Sequence, residues 1–408
     1  MQAKLSVRNV YKIFGDNAAG ALERLRQGEG KAAILEDTGA TVGVQDASFE
    51  VAQGEIFVVM GLSGSGKSTL VRMLNGLIAP TAGEILIDGE DIASCAQSAL
   101  RRIRRNKVAM IFQHFALFPH WTVVANVAYG QKIKGVGAAE RREEALRTLE
   151  MVGLAPWADS LPSDLSGGMQ QRVGLARGLA TGPQILLMDE PFGALDPLIR
   201  RQMQEELLTL QQTMKKTIIF ITHDLNEALL LGDRIAIMKD GELVQIGTAQ
   251  EIVTNPADDY VAAFVADIDR GRVFTADDIS GRPTSVQLHS DTSDQALRIM
   301  EDNDSHALHV VDGERLVGLV TYKDLAAQAG NGAGPPGTLG QALITDFAAV
   351  DGDAQLHTLY SAAGSGLPIA VTDSRDRLVG VVQPRDVLAQ LSADTPSTEP
   401  EASDAQSR

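Results

Sequence analysis

The sequence predicts an α/β protein: a mainly parallel β-sheet carrying a phosphate-binding loop, followed by a smaller, duplicated α/β unit. Three observations carry this. An apolar run at residues 56–60 (IFVVM) leads through a glycine-rich turn into a helix, as a strand buried on both faces does in a parallel sheet. Apolar runs and helical stretches then alternate from about residue 108 to 231, the pattern of βαβ connections. Finally, Arg315-Leu-Val-Gly318-x-Val320 with Asp324 recurs as Arg377-Leu-Val-Gly380-x-Val382 with Asp386.

In chain order, residues 3–13 alternate weakly through Leu5, Val7 and Val10 and predict a strand with Phe14 at its end. Residues 42–51 (VGVQDASFEV) return to strand alternation. Between them, 16–40 reads as two short helical pieces, around 21–26 and 31–35, so the segment is an insertion inside an antiparallel edge pair. Residues 84–87 (EILI) form another strand before an Asp88-Gly89 turn. The basic run Arg101, Arg102, Arg104, Arg105, Lys107 reads as a solvated helix face. A strand at 108–112 ends at Gln113, and 131–180 is helical. Strands at 184–190 and 217–223 alternate with helices at 199–214 and 225–231, and a Thr248-x-x-Glu251 capping box opens a late helix. The first domain is expected to span 1–266. Each later repeat reads as a helix (293–300, 354–363) and a strand (307–311, 368–371), joined by a flexible link at 329–337, and 393–408 reads as a disordered acidic tail.

The turn after 56–60 is Gly61, Leu62, Ser63, Gly64, Ser65, Gly66, with Lys67, Ser68 and Thr69 opening the helix. This is G-x-x-x-x-G-K-[ST] in its required context. Glycines let backbone N–H groups approach phosphate without Cβ clashes, and the helix start adds partial positive charge. Lys67 would reach the β/γ-phosphates and Ser68 would ligate Mg²⁺. A second motif, ILLMDEP at 185–191, puts Asp189 and Glu190 at the C-terminal edge of a strand, where open α/β sheets place their ligands. Asp189 would hold Mg²⁺, and Glu190 would take a proton from attacking water. A third, Leu165-Ser-Gly-Gly-Met-Gln-Gln-Arg172, gives a helix an N-cap at Ser166 and bare donors at Gly167 and Gly168. The economical reading of this second anion seat is that it serves the γ-phosphate of ATP held by another subunit.

The net charge of −17 opposes a sequence-independent nucleic-acid or anionic-lipid surface. Cys95 is the only cysteine, which fits a reducing compartment. The N-terminus lacks a signal-peptide apolar core, and no run approaches the ~18 apolar residues of a membrane span. Work at a membrane would go through a partner.

In type and order, the phosphate loop, Gln113, LSGGMQQR, ILLMDEP, the GALD run at 193–196 and Ile221-Thr-His-Asp224 resemble the ATPases of ABC transporters over about residues 3–260. The resemblance implies a P-loop NTPase with a RecA-like parallel core, an antiparallel β subdomain and a helical subdomain at about 96–180. It implies ATP and Mg²⁺ as ligands and a homodimer sandwiching two ATP. Phe14 would stack adenine, with Tyr11 the alternative. Gln113 would touch Mg²⁺ and the attacking water and transmit nucleotide state to a membrane partner. Asp196 would link the two sites, and His223 would contact the γ-phosphate. The insertion at 16–40, the run at 113–130 and the C-terminal repeat look like the glycine betaine/proline betaine importers, whose ATPases carry a tandem CBS α/β domain, here 270–328 and 338–392. A membrane permease and, indirectly, a substrate-binding protein are then the partners, with the chain peripheral on the cytoplasmic side of the inner membrane and no nucleic acid bound. An importer of amino acids or metals, or a soluble ABC protein, stands as the alternative. CBS copies that bind adenosyl ligands carry a hydroxyl three residues before the Asp: Thr321 and Asp324 match, whereas Gln383 precedes Asp386. The pair would either gate the ATPase, sensing ionic strength or a nucleotide messenger, or support the dimer.

Overall fold

Alternation in the first fifty residues becomes an antiparallel pair. β1 (Ala3–Phe14) runs against β2 (Thr41–Ala52), from Leu5 opposite Val51 to Phe14 opposite Thr41. Leu5, Val7, Val44 and Val51 are buried beneath it. The insertion leaves and returns at the Phe14–Thr41 pair. It folds as α1 (Ala18–Arg26), capped by Asn17, and α2 (Lys31–Thr38), ended by Gly39 in the left-handed region at φ 66°. Its apolar side chains (Ala21, Leu25, Ile34) close on Ile13 and Ala40 in a small core of their own. β4 (Ala82–Ile87) and β5 (Glu90–Asp91) complete a four-stranded sheet ordered β2-β1-β4-β5.

The second sheet holds β3 (Ile56–Met60), β6 (Val108–Ile111), β7 (Ile185–Asp189), β8 (Thr217–Thr222) and β9 (Arg234–Lys239) in parallel, with β10 (Glu242–Gly247) antiparallel at one edge; the order is β10-β9-β3-β8-β7-β6. Every residue of β3, β7 and β8 is buried, which is why these strands read as continuous apolar runs. The hairpin β9–β10 was not in the sequence reading. Its two-residue turn, Asp240-Gly241, has φ of 47° and 83°, matching the twist of the flanking strands. Around the sheet lie α3 (Lys67–Leu74), α4 (Gln97–Asn106), α9 (Pro197–Met214) and α10 (Leu225–Leu231). The stretch expected as helical from 131 to 180 is the end of α6 (Tyr129–Ile133), α7 (Ala138–Met151) and α8 (Gly167–Leu179), with α5 (Val123–Val127) before it. The basic run is only partly a solvated face. Arg101, Arg102 and Arg105 are exposed, but Arg104 donates to the carbonyls of Asn75 (2.8 Å) and Gly76 at the end of α3. α11 (Ala249–Thr254), with its Thr248–Glu251 capping box, and α12 (Asp259–Val265) follow.

This computed structural model describes residues 3–113, 116–330 and 338–392, in two compact units that part between Val265 and Ala266. After α13 (Ala276–Ile279), the second unit runs β11 (Ser285–Gln287), α14 (Ser293–Asp302), β12 (Ala307–Asp312), β13 (Arg315–Thr321) and α15 (Tyr322–Gly330). It then repeats as β14 (Ala349–Asp351), α16 (Tyr360–Ala363), β15 (Ile369–Thr372), β16 (Leu378–Val382) and α17 (Pro384–Ser392). Each copy is a three-stranded sheet with one parallel and one antiparallel pairing. Arg315 and Arg377, equivalent positions of the repeat, bridge to one another, so the copies meet about a local two-fold. β11 and β14 are too short for a sequence period. The helix expected at 354–363 is a 3₁₀ turn (Leu356–Leu359) followed by α16. The link beyond residue 330 and the tail lie outside the described residues.

Candidate functional site

β3 delivers the chain into the loop at Gly61, and α3 takes it away at Lys67. Gly61, Gly64 and Gly66 have φ of 154°, 83° and 103°. Two of them are also sterically required. A Cβ on Gly61 would lie 2.1 Å from the Met238 carbonyl, and one on Gly66 would lie 2.4 Å from the Gly43 carbonyl. Gly64 faces open space. Leu62 and Ser63 are exposed, Thr69 is half-buried, and Ser65 is buried with its Oγ lacking a partner among the described residues. Lys67 is 4% exposed, and its Nζ donates to the carbonyls of Gly61 (2.7 Å) and Leu62 (2.9 Å). Burial pushes its pKa down, against the pull of Glu190 and Asp189.

Across the loop stands the end of β7. Ser68 Oγ donates to Asp189 Oδ1 at 3.2 Å. Burial raises the Asp189 pKa, opposed by that hydrogen bond and by Arg72 and Lys67. Ser68 and Asp189 pair as hard oxygen donors of the kind that suit Mg²⁺. Glu190 lies just past the strand, at φ 46° in the left-handed region that a non-glycine residue seldom occupies. Its backbone is pinned by an N–H···O bond to Ile221 (3.0 Å). Its Oε2 is met by Gln113 Nε2 (3.4 Å) and His223 Nδ1 (3.1 Å). Thus Lys67, Ser68, Gln113, Asp189, Glu190 and His223 gather at one sheet edge. Behind them, Glu227 accepts from Thr222 Oγ1 (2.5 Å) and Gln204 (3.0 Å), with its pKa raised by burial. This support was missed, because nothing in the LNEALLL run marks Glu227 as inward-facing.

Phe14 is 41% exposed and flanked by Lys12, whose Nζ is 5.0 Å from the ring centroid. The ring packs on Gly43, where a Cβ would come within 2.9 Å of it, and the Gly43 carbonyl in turn abuts Gly66. Phe14 and the phosphate loop are therefore neighbours through one strand. Tyr11 is covered instead, packed against the insertion with Arg26 5.4 Å from its ring.

Ser166 caps α8, its Oγ accepting from Met169 N–H at 3.4 Å. Ser166 and Gly167 are exposed, but Gly168 is buried: a Cβ there would sit 2.5 Å from Ile199 Cγ2. The second glycine therefore also serves packing of α8 on α9. Asp196 caps α9 through Ile199 N–H (3.1 Å) and is exposed. In the second unit, Thr321 and Asp324 bond to each other (2.6 Å). A cleft opens by the other copy, lined by Arg282, Thr284, Asn303, His309, Arg385 and Asp386. His309 is 1% exposed with Nε2 lacking a partner among the described residues, and burial holds its pKa at about 4.

Comparison with known proteins identifies relatives over most of the chain. The ABC transporter family profile matches residues 44–193, and that of the CBS domain matches 282–329. The glycine betaine/proline betaine transport system ATP-binding protein ProV of Salmonella typhimurium is 48% identical over 96% of this chain and 98% of its own length. The glycine betaine transport ATP-binding protein OpuAA of Bacillus subtilis is 49% identical over 93% of this chain and 90% of its own. A solved dimeric ATP-binding cassette, in a post-hydrolysis state bound to ADP and Pi, shares 33% identity. It covers 60% of this chain and 98% of its own with a TM-score of 0.51.

Proposed function

The chain belongs to the ATP-binding subunits of ABC transport systems for glycine betaine and related compounds, and from that premise we propose how it works. It is an ATPase that energises uptake of quaternary-amine osmolytes through a separate permease. The observation that carries the chemistry is Glu190: a carboxylate held at a left-handed backbone position, oriented by Gln113 and His223, beside the phosphate loop. It takes the proton of the attacking water. His223, beside Glu190 and 56% exposed in its side chain, contacts the γ-phosphate. Lys67 turns from its own loop carbonyls to the β/γ-phosphates, and Phe14 stacks adenine, a contact of ~0.5–1.5 kcal/mol beyond area burial. Ser68, Asp189 and Gln113 would hold Mg²⁺, which neutralises phosphate charge when bound.

Two chains form the active dimer, the exposed Ser166–Gly167 start of α8 and Asp196 closing over the ATP of the partner. An apolar groove beside Gln113, lined by Met110, Phe112, Phe118, Tyr129 and Ile133, supports docking of the permease at the membrane's inner face. No helix among the described residues is long and apolar enough to cross a membrane. In the second unit, the Asp386 cleft, with two arginines for phosphate, suits an adenine nucleotide messenger. Calorimetry with adenine nucleotides on the wild type and Arg385→Ala tests this, and equal heats from both would remove it. The function is tested in vesicles carrying the permease: ATP-driven glycine betaine uptake with this subunit and none without it supports the reading, and equal uptake contradicts it.

A further inference from the structure

We propose that Lys31, in the insertion, is a positioning residue for ATP, acting through two peptide units on the phosphate loop; this rests on the ATP-site reading above. Lys31 opens α2, and its Nζ donates to the Asp240 carbonyl in the β9–β10 turn, with Glu242 3.5 Å away. That carbonyl and the Gly241 N–H belong to one amide. The Gly241 N–H donates to the Ser65 carbonyl at 2.9 Å, and the Ser65 carbonyl shares its amide with the Gly66 N–H. An ammonium on the first oxygen therefore polarises each amide in turn, and serial hydrogen bonds strengthen one another. The last donor, Gly66 N–H, is one of the loop amides available to phosphate. The far side of the turn is held too. The Gly241 carbonyl accepts from Gln45 N–H at 2.8 Å, and Gly43, two residues earlier on that strand, touches Gly66. Lys239, next to the turn, lies over the Tyr260 ring. The turn thus braces the loop at Ser65 and Gly66, and Lys31 of the insertion sets its positive charge on that turn. An insertion that served only its own small core would not need a lysine aimed at that amide.

The test is steady-state ATP hydrolysis by the full chain. Lys31→Met should raise KM for ATP five- to tenfold while kcat stays within twofold and the melting temperature within a few degrees. Lys31→Arg, which keeps the cationic donor, should restore KM. Gly241→Ala, strained at φ 83° and with its Cβ 3.0 Å from the Gly43 carbonyl and 3.3 Å from Lys31 Nζ, should also raise KM by displacing the turn, and it serves if Lys31→Met fails to fold. An unchanged KM in either folded variant, a fall in kcat alone, or no rescue by arginine overturns the proposal. A wild-type chain that does not hydrolyse ATP would sink the ATP-site reading itself; activity with an indifferent Lys31 sinks only this inference.

Discussion

Glu190 is where backbone and chemistry meet. Its φ of 46° takes the carboxylate off the line of β7, out of the sheet's alternation and toward Gln113 and His223. Strain of this kind costs about 1–3 kcal/mol and persists only where surrounding structure over-determines it; the Ile221 bond and the neighbouring residues do so here. Glu190→Gln keeps the shape and most hydrogen bonds but cannot accept a proton. Hydrolysis should fall by about 10²–10⁴-fold with ATP affinity retained, measured by phosphate release and calorimetry on the same preparation. A variant hydrolysing near the wild-type rate would move the base elsewhere. Asp189, one residue earlier, has a different setting: it is buried, bonded to Ser68 and raised in pKa by that burial.

Among the elements, the contact of α8 with α9 gives the sharpest steric prediction. Gly168→Ala places a methyl 2.5 Å from Ile199 Cγ2, and overpacking of this sort costs about 1–3 kcal/mol. The variant should melt several degrees lower, and adding Ile199→Ala should recover most of the loss; no change on Gly168→Ala would refute the packing role. In the second unit, His309 is buried and neutral, its pKa lowered from 6.5 to about 4. The unfolded chain then binds the proton first, so stability rises with pH. The contribution is full above pH 6.5 and is lost toward pH 4, by about 3 kcal/mol in all. His309→Leu should flatten this part of the second unit's urea-unfolding profile, and equal slopes for both proteins would contradict it. The phosphate loop, the strand-end acids and the capped helix were legible in the sequence because each is a contiguous motif whose neighbours dictate its conformation. What was not legible is what distant segments do together. Lys31, Asp240–Gly241 and Ser65 meet only in the fold, although an Asp-Gly pair between IAIMK and ELVQIG is itself a hairpin signal. The packing of Gly168 on Ile199 shows only in the fold. Glu227 shows as support only once Thr222 and Gln204 reach it.

For the whole molecule, the described chain holds a phosphate loop with Glu190 beside it and, on α8, an exposed Ser166 whose hydrogen-bond partner is its own helix. The account closes the site with a second chain, so that ATP joins the loop of one protomer to the α8 start of the other. This bears on charge as well. With −17 per chain, two copies repel at low ionic strength, and ATP contacts must outweigh that repulsion, which salt screens over ~8–10 Å. The most direct test uses two differently tagged chains in a Cys95→Ser, Glu190→Gln background, one carrying Ser63→Cys and the other Gly167→Cys, both at exposed positions. The account predicts a disulfide-linked species bearing both tags that forms with ATP and not without it. Absence of that species with ATP bound, or a yield that ignores nucleotide, would contradict a triphosphate clasped between two copies.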